Sequence, residues 1–209
     1  MKRLYIDMDG VLCDFRSASK KEIQENPKQP FPQSRWGFFL RIPEMDGAIE
    51  SFNLLKDKYD IWILTRPSTK NINCYSEKAQ WISDHLGVEM LSKLIISPDK
   101  SLVKGEYLID DENNANQDKF EGVWIKFGSN KFPNWKIVTN WLISQLDTNK
   151  QNLCEYLMFK DKSILDGLEY QVRIFESDGV KTSDLDLKID YNRLNIRLKK
   201  DTIDYAYFG

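Results

Sequence analysis

The sequence predicts an α/β fold, a parallel sheet flanked by helices with a small β-rich appendage at its C-terminal end, and three observations predict it. Short, strongly apolar runs recur at Arg3 to Met8, Tyr59 to Thr65, Leu94 to Ser97, Tyr107 to Ile109 and Gly122 to Phe127, the length and texture of buried strands. Helix-patterned segments lie between them, notably Gly47 to Lys58 and Tyr75 to Leu86, the second followed by Gly87 as a C-cap. Beyond about residue 150 the pattern changes to apolar/polar alternation with period two. Alternating strands and helices argue for parallel strands joined by helical crossovers, with ligands collecting at the carboxyl ends of the strands.

Between the first strand and the first long helix, residues 26 to 46 (NPKQPFPQSRWGFFLRIPEMD) hold four prolines and a dense aromatic cluster. Such a segment interrupts any long helix or central strand, so an insertion is expected at about 16–46. A final helix, Trp135 to Leu146, closes the α/β unit and gives a main domain over 1–147. In the remaining stretch, 150–209, Tyr170 to Phe175, Leu185 to Tyr191 and Leu194 to Leu198 alternate in polarity, punctuated by Asp178, Gly179, Asp190 and Asn192. A small antiparallel sheet is the plain reading, with interspersed charges on one solvated face. Its role is open between packing on the core, a homodimer interface and recruitment of a partner, since an exposed sheet edge favours pairing with another chain.

The chain has 209 residues, 41% hydrophobic and 30% charged, with a formal net charge of -2. That composition suits a globular core rather than disorder. It supplies no basic field for polynucleotide phosphates. The three cysteines, Cys13, Cys74 and Cys154, form no CxxC or Cys/His metal pattern and read as reduced thiols. No apolar run reaches signal-peptide or membrane-spanning length, so a cytoplasmic location without membrane partners is expected. The single histidine, His85, sits near the end of a candidate helix, where contact with helix-end carbonyls is a plainer role than catalysis.

The chemistry concentrates at strand ends. The first strand closes in Asp7-Met8-Asp9-Gly10; period two sends both carboxylates to one face, and Gly10 permits a sharp turn beside them. Alone, this string reads equally well as an exposed Asp/Gly turn. Two acids in one small site call for a shared proton or a hard divalent cation. The later strands end in Thr65, in Ser97-Pro98-Asp99-Lys100 and in Asp110-Asp111, so a hydroxyl, a lysine and further carboxylates arrive in strand order. A hydroxyl and a lysine hold phosphoryl oxygens by charge-assisted hydrogen bonds.

The series DMDGVLCDF, ILTRPS, SPDK and LIDDENN resembles the four ordered motifs of the haloacid dehalogenase (HAD) phosphatases, and more narrowly those of the 5′(3′)-deoxyribonucleotidases. The segments PFPQSRWGFFLRIPEMDGAIE and CYSEKAQWISDHLG are similar to the cap and the following helix of the narrower family, and SLVKGEYLIDD matches its lysine-to-aspartate spacing. The resemblance covers roughly residues 1 to 145. It implies a HAD-like Rossmannoid sheet with a short cap insertion and a phosphomonoesterase acting on (deoxy)nucleoside monophosphates through an aspartyl phosphate. In that family's pattern Asp7 is the nucleophile and Asp9 the acid and later the base. Thr65 and Lys100 grip the phosphoryl group. Mg²⁺ is held by Asp7, the Asp9 carbonyl and Asp111, with Asp110 as an outer acid. Phe15, Trp36, Phe38 and Phe39 are the candidates for stacking on a base, each of them equally explained as the cap's own small core. Arg66 departs from the small residue expected after the motif threonine and could add a phosphate contact or a salt bridge. The insertion is shorter than the cap of the best-known relatives, which predicts a more open site. Two alternatives stand beside this reading: a phosphatase for another small phosphomonoester or a terminal oligonucleotide phosphate, and a non-catalytic HAD-like binding module.

Overall fold

The computed structural model describes residues 1–146, 157–158, 160–163, 171–177, 180–181 and 193–208. The strand expected at Leu185 to Tyr191, its flanking turn residues and Cys154 lie outside them. All five expected core strands form: β1 (Arg3–Ile6), β2 (Asp60–Thr65), β3 (Leu94–Ile96), β4 (Tyr107–Asp110) and β5 (Val123–Lys126). They pair in parallel in the order β3-β2-β1-β4-β5. Leu4, Tyr5 and Ile6 are buried in succession, as a central parallel strand covered on both faces requires. The chain runs outward from β1 through β2 to β3, then returns to lay β4 on the other side of β1. At such a reversal the connections leave in opposite directions and a crevice opens past the carboxyl ends. The ladder continues one residue beyond β1, where Asp7 N–H donates to the Ile109 carbonyl at 3.0 Å. Asp7 and Asp110 therefore meet at the mouth of that crevice.

The helices form where apolar periodicity is strong. Helix α1 (Phe15–Glu25), capped by the Asp14 side chain on the Ser17 N–H, is an addition to the expected insertion. It buries no side chain fully, so it leaves no apolar stripe to read. The prolines that follow hold the rest of the cap to two short 3₁₀ turns, Pro32–Ser34 and Phe39–Arg41. Helix α2 (Ala48–Leu55) buries Ala48, Ser51, Phe52 and Leu55, one face of a regular helix. Helix α3 (Cys74–Leu86) buries Cys74, Glu77, Lys78, Trp81, Ile82 and Leu86 and ends on Gly87 at φ +101°. Two positions of that inward face are charged. Trp81 fixes the end of the cap by donating its indole N–H to the Ile42 carbonyl at 2.8 Å. The His85 ring stacks on Trp81 with Nδ1 2.7 Å from the Trp81 carbonyl, within its own helix.

Met1–Lys136 and Ile137–Gly209 are two compact units, with the boundary inside α4 (Trp135–Ser144). The second carries β6 (Gln171–Ser177), β7 (Val180–Lys181), β8 (Arg193–Lys199) and β9 (Thr202–Phe208), paired in the order β7-β6-β8-β9. An antiparallel sheet was expected, and this one is mixed: β6–β7 and β8–β9 are antiparallel, whereas β6 and β8 are parallel. The reason is that β7 turns back onto the outer edge of β6. The chain then reaches the inner edge travelling in β6's own direction. Leu157, Leu194, Ile196, Leu198, Ile203 and Phe208 make this unit's core.

Candidate active site

The loop after β1 is drawn tight by one acceptor. The Met8 carbonyl takes the N–H groups of Val11, Leu12 and Cys13 at 3.3, 2.9 and 3.0 Å, and the buried Trp135 indole holds the Val11 carbonyl at 2.8 Å. Gly10 sits at φ +83°, with a hypothetical Cβ only 2.4 Å from Asp111 Oδ2. Glycine is thus required twice here, for the backbone conformation and for the approach of a carboxylate from β4.

Asp7, Asp110 and Asp111 each offer an oxygen within 4.8 Å of the others. Lys100, buried at 1% exposure, brings Nζ to 2.8 Å from Asp7 Oδ1 and makes a short contact to Asp110 Oδ2. The Asp7 contact lacks hydrogen-bond geometry, so Oδ1 is a buried carboxylate oxygen without a hydrogen bond among the described residues. Asp110 is held further by Gln117 Nε2 at 3.0 Å and the Glu112 N–H at 3.2 Å, whereas Asp111 faces the cavity and meets Arg16 at 3.3 Å. Burial, then Asp7 and Asp110, push the Asp111 carboxyl up to about 7. Burial and Asp7 raise Asp110 as well, against the pull of Lys100. Burial would lower the Lys100 ammonium, but Asp7 and Asp110 raise it above its ordinary value. One lysine is insufficient to neutralise three crowded acids. A hard divalent cation with oxygen ligands fits this donor set and would reverse the upward shifts.

Asp9 is served by a residue the sequence reading passed over. Lys78, fully buried, places Nζ 2.6 Å from Asp9 Oδ2, 2.7 Å from Thr65 Oγ1 and 2.7 Å from the Arg66 carbonyl. Burial raises the Asp9 carboxyl more than Lys78 lowers it, with Asp7 adding to the rise. Next to it, the Glu77 carboxylate accepts from the Gly37 N–H at 2.9 Å, the Phe39 N–H at 3.1 Å and Asn71 Nδ2 at 3.2 Å. A signal for both was present in their placement. Cys74, Trp81 and Ile82 define the inward face of α3, and Glu77 and Lys78 fall in phase with it.

Asp7, Asp9, Phe15, Phe39, Arg66 and Asp111 line one cavity of about 280 Å³, whose wall also includes Arg16 and Lys70. Thr65 and Lys100 stand behind that wall, each buried and engaged with its neighbours. Of the four aromatic candidates, Phe15 and Phe39 reach the cavity. Phe38 is buried edge-on against both of them, and Trp36 is 67% exposed and off the cavity wall. Arg66 is exposed at the cavity and forms no salt bridge among the described residues.

The geometry agrees with the comparisons. A family model described as "5' nucleotidase, deoxy (Pyrimidine), cytosolic type C protein" matches residues 30–142. A protein of Vibrio phage KVP40 that bears the 5′(3′)-deoxyribonucleotidase name is 35% identical over 144 residues, covering 68% of this chain and 85% of its own length. The human cytosolic-type 5′(3′)-deoxyribonucleotidase is 29% identical over 144 residues, 54% of this chain and 72% of that protein. With a family model spanning more than half the sequence, and an acid-lined crevice where the motifs predict one, this chain belongs to the 5′(3′)-deoxyribonucleotidase family of 5′-nucleotidases.

Proposed function

We propose that the protein is a Mg²⁺-dependent phosphomonoesterase that removes phosphate from deoxynucleoside monophosphates through an aspartyl phosphate on Asp7. The observation that carries this reading is the convergence of Asp7, Asp9 and Asp111 on one cavity, with Lys100 and Thr65 directly behind them. Asp7, with the Lys100 ammonium beside it, attacks phosphorus in line; the P–O bond to the nucleoside breaks as the new P–O bond to Asp7 forms. Asp9, raised by burial, carries the proton that passes to the departing oxygen, then takes one from the water that hydrolyses the aspartyl phosphate. Thr65 Oγ1 accepts from Lys78, which leaves its own O–H to donate to a phosphoryl oxygen. Lys100 has three N–H donors and spends one on Asp110, with Asp7 in ion-pair contact, so a donor remains for the same purpose. Asp7, the Asp9 carbonyl and Asp111 would hold the ion, with Asp110 behind them. Bound there, Mg²⁺ supplies positive charge that offsets repulsion between the phosphoryl oxygens and the attacking carboxylate. Phe15 and Phe39 offer flat apolar surface to the base.

The test is phosphate release from deoxynucleoside monophosphates, sugar phosphates and 3′-phosphorylated oligonucleotides in the presence of Mg²⁺. Deoxynucleoside monophosphates are expected to lead, and Asp7→Asn to lower kcat by about a thousandfold or more. Wild-type-like turnover by folded Asp7→Asn protein overturns the nucleophile assignment. Preference for a sugar phosphate overturns the substrate class.

A further inference from the structure

We propose that Lys78 is a positioning residue for proton transfer, a role that rests on the reading of Asp9 as the acid. An ammonium has three N–H donors, and Lys78 spends all three, on Asp9 Oδ2, Thr65 Oγ1 and the Arg66 carbonyl, at 2.6 to 2.7 Å. No donor is left for a substrate. Its work is therefore on its neighbours. Holding such a charge there is costly: it is fully buried and stands early in α3, toward the positive end of the helix dipole. An apolar side chain would pack there without that penalty.

The contacts define what the charge does. With Oδ2 held by Lys78, the other oxygen of Asp9 meets only the weak donor Cys13 Sγ, at 3.7 Å, among the described residues. Oδ1 is thus the oxygen left to carry the transferable proton. The same ammonium occupies a lone pair of Thr65 and turns that hydroxyl's proton away from α3. Glu77, one residue earlier and about 100° around the helix, grips the N–H groups of Gly37 and Phe39. One turn of α3 thereby sets the acid, the phosphate-facing hydroxyl and the cap wall in a common register.

The experiment compares Lys78→Met with Asp9→Asn on two substrates, a deoxynucleoside monophosphate and p-nitrophenyl phosphate, reading kcat and KM separately. The nucleoside alkoxide is a poor leaving group that needs a proton; p-nitrophenolate departs without one. Lys78→Met is expected to lower kcat on the nucleotide about 100-fold and on p-nitrophenyl phosphate less than about 10-fold, with a matching split in Asp9→Asn. A thermal melt establishes that the variant is folded. Should Lys78→Met fail to fold, Lys78→Gln, whose amide still donates to one acceptor, is measured in the same way with the same expected ordering. Equal losses on both substrates, or no loss, in a variant of Lys78 while Asp9→Asn keeps the split overturn the positioning role. Absence of the split in Asp9→Asn overturns the acid assignment itself, and this proposal with it.

Discussion

At Gly10 a backbone angle and the approach of the Asp111 carboxylate make the same demand. Its φ of +83° disfavours any side chain, and a Cβ would stand 2.4 Å from Asp111 Oδ2. Gly10→Ala is therefore expected to lose about 1–2 kcal/mol of stability from the left-handed backbone alone. It should also weaken Mg²⁺ binding severalfold by displacing Asp111. Denaturant unfolding and a calorimetric Mg²⁺ titration check the two parts, and an unchanged Mg²⁺ affinity would dissociate Gly10 from the metal site. This demand was partly legible: the string Asp7-Met8-Asp9-Gly10 fixed the turn, but the partner 101 positions away that crowds it comes from another strand. Acids at strand ends could be read because a local motif and strand order suffice. Lys78 and Glu77 were passed over because a helix reading looks for apolar residues on the inward face, and these are charged residues buried by their partners. Among the aromatics, Phe15 and Phe39 differ from Trp36 and Phe38 only in which way the cap turns each ring, which spacing along the chain does not encode.

Among elements, the sheet holds its non-catalytic end through Asp60. Its carboxylate accepts from Lys93 Nζ at 2.9 Å, Trp62 Nε1 at 3.1 Å and Arg3 Nε and Nη2 at 3.0 and 2.9 Å. It thereby joins β1, β2 and the turn before β3. The Lys93 hydrogen bond, aided by Trp62 and Arg3, lowers its pKa to about 2. A depressed carboxyl stabilises the fold above its unfolded pKa, and that contribution is lost as pH falls from about 4 through about 2. Asp60→Asn should cost about 1 kcal/mol or less at pH 7, the scale of a solvent-facing cluster. The difference from wild type should shrink toward pH 2, with kcat unchanged. Urea unfolding at pH 7, 4 and 2.5 measures this; a gap that widens on acidification contradicts it. The core strands were legible because they are short apolar runs covered on both faces. The hairpin between β8 and β9 was not, since it turns on Lys200 and Asp201 at φ +50° and +62°, positions where the usual signal is Asn-Gly.

Over the whole molecule, the parallel direction of the core strands was legible in the alternation of strands with helix-patterned segments, whereas the mixed sheet of the second unit depends on long-range pairing that alternation does not specify. The same contrast governs the acids, since their spacing suggested a cation and only their burial gives its thermodynamic consequence. Asp111, at about 7 in the folded protein through burial, Asp7 and Asp110, binds its proton more tightly folded than unfolded. The sign is then opposite to that of Asp60: the metal-free protein is favoured below the unfolded value near 4 and loses stability as pH rises through about 7. The loss is at most about 4 kcal/mol, and less where solvent reaches the carboxylate. A bound divalent cation replaces the proton and should restore that stability at pH 8, adding about 2.7 kcal/mol when present at a hundredfold its Kd. In thermal melts with chelator, Tm should accordingly fall between pH 5 and pH 8, and Mg²⁺ should raise it far more at pH 8 than at pH 5. Asp111→Asn, which mimics the protonated acid, should melt above metal-free wild type at pH 8 and respond little to Mg²⁺. A metal-free wild type as stable at pH 8 as at pH 5, or an Asp111→Asn protein less stable than it at pH 8, would refute the account of the acid cluster as a site under electrostatic tension until a cation enters it.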